Sequence, residues 1–359
     1  MSQIPTTRRG FSKLALGAAV TAAAPMVLVR NAWAQNKQIQ VGIWGGAQGE
    51  YLKRNIIPKF ESDMGCKVIA EEGFTLANVQ KMRATKANPK FSVMFIDDVA
   101  IQMSKTEDLI APLPKANMPA LAHLYPRFAY DGYATALGIS IASLFHNTSV
   151  KPPVSYAELW DPKYAGKIKL VTPKNTPSVF FLIVAAAVKT GKPFAQAQYE
   201  IDKCFDKVAA LKPNVQNIFD NGPQAANEIA QGQADIGFMD LSKYIYPATA
   251  KGVPVTMSFP KEGSFAGVNC QVLVKNGPNQ DLAVAFMNRM LEPAVQKGLS
   301  EFAFTSPPVS GIEFSAETKK YLAYPVEEMD KRGLFVPDWN HINTNRGRWT
   351  EELNKIFSV

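Results

Sequence analysis

The sequence predicts an α/β protein with mostly parallel sheets, and three observations carry that prediction. Strand-like and helix-like segments alternate along the chain. The best strand candidates are apolar on both faces, as strands covered by helices on either side are. With 359 residues and a 47% hydrophobic fraction, the chain has core enough for two domains or one bilobal unit.

The first residues read as an export signal rather than as part of the fold. Thr7-Arg8-Arg9-Gly10-Phe11-Ser12-Lys13 precedes an apolar run over 14–29, which closes on Ala32-Trp33-Ala34. A basic start, an apolar middle and small residues at the end predict a signal peptide at 1–34, cut after Ala34, and a secreted mature chain. The paired arginines before Phe11 resemble a twin-arginine signal, with Ser12 where that pattern prefers Leu. The apolar run is shorter than the roughly 20 residues of a membrane-spanning helix. Residues 1–34 carry Arg8, Arg9, Lys13 and Arg30 and no acid, so the formal net charge falls from +8 to +4 without them. That remainder gives no reason to expect a nucleic-acid partner.

The elements follow in order. Residues 38–44 alternate as a strand ending in Trp44. Gly45-Gly46 leads into a helix over 48–64, with Leu52, Ile56, Ile57 and Phe60 on one face and Gly65 at its end. Residues 67–71 are a second strand, 75–87 a helix that stops near Pro89, and 91–96 a third strand. This order implies right-handed crossovers. The middle repeats it: a strand at 167–172, an apolar helix at 177–190, helices at 197–212 and 224–231, and a strand at 234–239. Residues 263–274 return to strand character, before helices at 281–291 and 293–302. The tail from 315 is helical and irregular, with Trp339 and Trp349 as packing anchors.

Reactive machinery is not evident. Cys66, Cys204 and Cys270 are scattered and odd in number; they read as buried free thiols, and a single bridge would still leave one unpaired. His123, His146 and His341 belong to no metal-ligand spacing. No Gly-x-Gly-x-x-Gly follows a strand and there is no Gly-x-Ser-x-Gly elbow, so no cofactor is expected.

Four stretches together resemble one family: the strand ending in Trp44; the block from Tyr156-Ala157-Glu158-Leu159-Trp160 to Gly166-Lys167; the strand Gly232-Gln233-Ala234-Asp235-Ile236-Gly237; and Gly252-Val253-Pro254 through Pro260-Lys261-Glu262-Gly263. They are similar to segments of the periplasmic solute-binding proteins of ABC importers, in the group of spermidine/putrescine and ferric-iron binders. The resemblance implies a two-lobed periplasmic-binding-protein type II fold, each lobe a mostly parallel sheet flanked by helices. Lobe 1 would be 36–139 plus 268–314 and lobe 2 140–267 plus 315–359, with hinge crossovers near 137–143 and 266–270. It also implies a small-molecule ligand in the cleft, an ABC permease as partner, a monomer, and no catalysis.

Open α/β sheets bind ligands beyond the carboxyl ends of their strands, and that rule selects the candidates. Trp44 and Gly45 follow the first strand, as an aromatic platform and a site of close backbone approach. Asp97 and Asp98 follow the third. Thr176 and Ser178 open the helix at Pro177, where hydroxyls and N–H groups suit an acidic group. Plain capping explains Thr176 equally well, and Trp44 could pack in the core. Asp240, past the strand at 234–239, is a partner for an amine, with Tyr244 on the next helix. By the resemblance, Asn269 on the returning strand faces the cleft. That strand offers Gly267 and Asn269 where polyamine binders place a Trp and an Asp, so a smaller amine, an amino acid or another zwitterion fits better than a linear polyamine. The rivals are ferric iron, which Tyr244 and Tyr246 could not share from opposite sides of one helix, and a periplasmic enzyme.

Overall fold

The computed structural model describes residues 37–358. The expected signal peptide, with its arginine pair and cleavage point, lies outside the described residues.

Strand β1 (Gln38–Ile43) feeds a helical stretch made of α1 (Gly46–Tyr51), a π-helical turn (Leu52–Ile56) and α2 (Ile57–Met64). Pro58 explains the widened turn. It has no N–H to return to the Arg54 carbonyl and its ring crowds that oxygen, so the helix opens just ahead of it. Gly65 closes α2 in the left-handed region, at φ 57°. Then come β2 (Lys67–Glu72), α3 (Thr75–Ala84), β3 (Val93–Asp97), α4 (Ile101–Thr106) and the short β4 (Ile110–Ala111). β5 (Ala134–Asn147) is buried along its whole length.

The next segment holds β6 (Ile168–Val171), α5 (Pro177–Thr190), α6 (Phe194–Ala197), α7 (Phe205–Leu211), β7 (Val215–Phe219), α8 (Gly222–Ala230), β8 (Ile236–Leu241), α9 (Ser242–Thr249) and β9 (Val255–Ser258). β10 (Ser264–Val274), α10 (Gln280–Met290) and α11 (Pro293–Ala303) follow. The tail carries α12 (Ala316–Lys319), α13 (Val326–Lys331), β11 (Leu334–Phe335) and α14 (Trp339–Phe357).

The sheet order is β2-β1-β3-β10-β5-β8-β6-β7. At one end β1 pairs in parallel with β2 and β3; at the other, β6 pairs in parallel with β7 and β8. Between these triplets lies the antiparallel pair β10 and β5. Two buried apolar clusters divide along it. Ile141 and Ala266 belong to the first, and their chain neighbours Ala142 and Phe265 to the second. Each pair sits opposite in register, Ala266 with Ile141 and Phe265 with Ala142, so both strands change core at the same level. The tail is shared, although the sequence assigned all of 315–359 to lobe 2. Leu322, Ala323, Tyr324 and Met329 pack in the first cluster, and Trp339, Ile342, Trp349 and Leu353 in the second.

Two segments depart from the sequence reading. The helix expected over 197–212 exists only from Phe205, because the residues before it are held by α14. Asp202 accepts from the Trp349 indole at 2.6 Å and from Arg348 at 2.9 Å, and Tyr199 donates to Asp338 at 2.9 Å. β8 starts later and runs on to Leu241, so Asp240 lies inside the strand rather than past it. The three cysteines are free, with Cys204 and Cys270 buried and Cys66 half-buried.

The two most specific family stretches meet each other. Ser155 caps the turn Tyr156–Trp160 in a capping box with Glu158. Glu262, from the Pro260–Gly263 stretch, accepts from the Ser155 hydroxyl and from the Tyr156 N–H at 3.2 Å, and the Tyr156 hydroxyl donates to the Gly263 carbonyl at 3.2 Å. These motifs brace the second core. Glu262→Ala should therefore cost about 1–2 kcal/mol in urea unfolding; an unchanged midpoint would reduce the contact to a surface pairing.

Candidate functional site

The tips of β1 and β3 meet the middle of β10. Trp44, just past β1, stacks at a tilt on Phe95, with centroids 5.2 Å apart. Its indole N–H reaches the Thr75 hydroxyl at 3.5 Å. Thr75, the first residue of α3, donates to Asp97 Oδ2 at 2.7 Å and accepts from the Asp97 N–H at 3.1 Å. Asn269 completes the chain of contacts. Its amide donates to Asp97 Oδ1 at 2.6 Å, and its Oδ1 accepts from Gln48 at 3.0 Å and Lys243 at 3.4 Å. In register Asn269 stands between Asp97 of β3 and Gly138 of β5, where the ladder to β5 shifts before Cys270.

Asp98 is buried beside this network. Its Oδ1 accepts from the Val99 N–H at 2.9 Å, and its Oδ2 has no partner among the described residues. The Trp339 indole N–H, also buried and unpartnered, faces it from α14 without closing an ordinary hydrogen bond. Burial pushes the Asp98 pKa up to about 8, and the neighbouring Asp97 charge adds to it, against the pull of Trp339 and the Val99 N–H. Tyr130 and Cys270 lie near it, and both are pushed well above their usual values, chiefly by burial.

Asp240 lies opposite Ser143 in β5. Its Oδ1 accepts from the Leu241 N–H at 2.7 Å. Burial lifts its pKa to about 7, opposed by the Leu241 N–H and by Lys243. A side chain at Gly222, the first residue of α8, would overlap the Asp240 carboxylate, so only glycine lets that carboxylate rest on the helix start. Lys243 acts on both Asp240 and Asn269.

Of the predicted residues, Trp44, Asp97 and Asn269 are joined in one network, with Asp98 adjacent to Asp97. Gly45 caps α1 beside it. Asp240 stands apart, linked through Lys243. Tyr244 is more than one-third exposed, whereas Tyr246 is buried, as opposite helix faces require. The start of α5 is already committed. Thr176 makes no side-chain cap, the Ser178 hydroxyl sits 3.0 and 2.8 Å from the Pro173 and Asn175 carbonyls, and the Ser178 and Val179 N–H groups bond back to Asn175 and Thr176. Sequence reasoning missed Gln48, Thr75, Lys243 and Trp339. Among the described residues no group of three or more His, Cys, Asp or Glu could hold a metal ion, and no helix is long and apolar enough to cross a membrane.

The chain belongs to the bacterial extracellular solute-binding proteins, whose family pattern matches residues 55–326. It is 22% identical over 320 residues to the spermidine/putrescine-binding periplasmic protein of Escherichia coli (strain K12), covering 86% of each chain. It is 25% identical over 295 residues to the gamma-aminobutyric acid-binding protein of Pseudomonas aeruginosa, covering 81% of this chain and 80% of the relative. Among solved structures, an ABC transporter protein from Clostridium perfringens matches with TM-score 0.76 at 22% identity, over 89% of this chain and 99% of the other. The spermidine/putrescine ABC transporter substrate-binding protein PotD of Streptococcus pneumoniae matches with TM-score 0.72 at 20% identity, over 88% and 99%.

Proposed function

We propose that this protein captures a small amine-bearing or zwitterionic solute between two lobes and passes it, unchanged, to an ABC permease in the inner membrane. The lobes are 37–139 with 268–314, and 140–267 with the last helix. Asp98 carries the reading: a buried carboxyl at a strand tip, its Oδ2 closed by no ordinary hydrogen bond, fits an ammonium group, whose charge would release the proton that burial otherwise keeps there. Trp44, Asp97 and Asn269 shape its surroundings, and Asp240 offers a second carboxylate across the junction. The relatives named for polyamines and for gamma-aminobutyric acid are all named for amine solutes. Trp44, Asp98, Asp240 and Asn269 expose only 9, 6, 4 and 5% of their surface, so a solute reaches them when the lobes part, and closure around it is the expected response.

A thermal-shift screen of the purified protein tests this. Ammonium-bearing solutes should raise the melting temperature, by mass action on the folded state, and purely anionic solutes should not. Trp44→Ala should weaken the best hit about tenfold or more in calorimetry, from the loss of a cation–π face. A panel in which organic diacids alone stabilise the protein would defeat the proposal.

A further inference from the structure

Among the described residues, every arginine but one has an oxygen to hold. Arg54, Arg83, Arg127, Arg289 and Arg348 pair with carboxylates, and Arg332 donates to the Leu322 carbonyl. Arg346 has no hydrogen bond, ion pair or ring partner among them. It is nevertheless half-buried, and burial alone holds its pKa below the usual arginine range. A guanidinium partly withdrawn from water without an anion carries a desolvation cost, which an anion from elsewhere would offset.

Its place in the fold says where that anion comes from. On α14 the buried stripe is Trp339, Ile342, Trp349 and Leu353. Arg346 falls in the middle of that stripe, about two turns beyond Trp339 and one before Trp349. The adjoining face of α14 meets the end of β3: Asn343 donates to the Val99 carbonyl at 2.8 Å, and Trp339 faces Asp98. Ring contacts of Trp339 with Phe180 at 6.0 Å and of Phe357 with Phe181 at 6.5 Å lay α14 across the first turns of α5. There the Ser178 hydroxyl proton is already committed to carbonyls. On α14 itself the Trp339 indole N–H and the Arg346 guanidinium are left without an acceptor among the described residues.

We propose that Arg346 anchors a carboxylate of the solute, which makes an amino-acid-like zwitterion, rather than a diamine, the preferred ligand. The proposal rests on the reading that strand-tip carboxylates hold the ammonium. The planar guanidinium takes both carboxylate oxygens with parallel N–H donors, which a lysine ammonium does not reproduce. The ammonium then lies on the Asp98 side, so both unpaired groups are satisfied by one molecule.

Calorimetry with a panel of α- and ω-amino acids against diamines of matched length decides it. The unmodified protein should bind its best amino acid at least about tenfold more tightly than the matched diamine. Arg346→Gln should weaken that amino acid about 30-fold or more, leave diamine affinity unchanged or improved, and Arg346→Lys should fall between. Without ligand, Arg346→Gln should melt at or above the temperature of the unmodified protein, since it removes an unpaired, half-buried charge; this also shows that the variant folds. Amino-acid affinity unchanged in Arg346→Gln, or a diamine preferred by the unmodified protein, would overturn the role of Arg346 while leaving the strand-tip reading intact. If no ammonium-bearing solute binds either protein, that reading fails and this proposal falls with it.

Discussion

Replacing Glu228 with alanine should destabilise the protein by about 3–5 kcal/mol, because it strands a buried cation. Lys169 on β6 is 1% exposed, and its ammonium is held 2.7 Å from Glu228 of α8 and 3.1 Å from Asn217 Oδ1 of β7. The Lys169 charge in turn holds the Glu228 carboxyl below its usual pKa. Losing the carboxylate leaves only a neutral amide against the charge. Lys169→Met should instead be close to neutral, since it removes the desolvated charge together with its partner's task, and the double variant should recover most of the loss. Urea unfolding of the three variants measures this. A loss below about 1 kcal/mol in Glu228→Ala would mean that the amide suffices or that the ammonium escapes to water.

Asp98→Asn should change how stability depends on pH. The folded protein holds the Asp98 proton up to about pH 8, whereas the free carboxyl loses it near 3.8. Between those values the folded state binds more protons than the unfolded state, so this group makes stability fall as pH rises, by about 1.4 kcal/mol per unit. Asp240 contributes in the same direction up to about pH 7. Asparagine keeps an oxygen for the Val99 N–H but carries no charge. The variant should therefore show a shallower decline between pH 5 and 8 and be the more stable protein at the upper end. Unfolding midpoints at several pH values, read without ligand, test this; parallel curves for the two proteins would remove Asp98 as the cause.

The alternation of strand and helix was legible because each element carries its own signals. The helix Pro177–Thr190 begins at a proline, ends against Gly191 and is apolar throughout, so local sequence determines it fully. The strand-tip positions of Trp44, Asp97 and Asp98 were legible for a related reason, since a strand tip is a local feature that the fold class turns into a candidate site. The break before α7 was not, because Asp202 and Tyr199 answer to α14, more than a hundred residues later in the chain. Gln48, Thr75 and Lys243 escaped notice for the same reason. Each sits within the first three residues of a helix, unremarkable until β10 brings Asn269 between them. Arg346 did leave a trace: a charged residue inside the stripe Trp339, Ile342, Trp349, Leu353 breaks the helical pattern. The family motifs around Tyr156 and Glu262 brace each other through the Ser155, Tyr156 and Gly263 hydrogen bonds.

β5 and β10 run unbroken from one apolar cluster to the other, side by side and hydrogen-bonded to each other where the clusters change. Such a ribbon resists sliding, which would break its ladder, far more than it resists torsion, which keeps every bond and only alters the natural strand twist. The two apolar clusters are thus coupled like paddles on a torsion bar, and rotation about that bar is the inexpensive way to turn one against the other. Asn269 lies on the bar itself, at the irregular step in its ladder, so under the proposed lobe closure the same rotation would re-aim the amide that donates to Asp97.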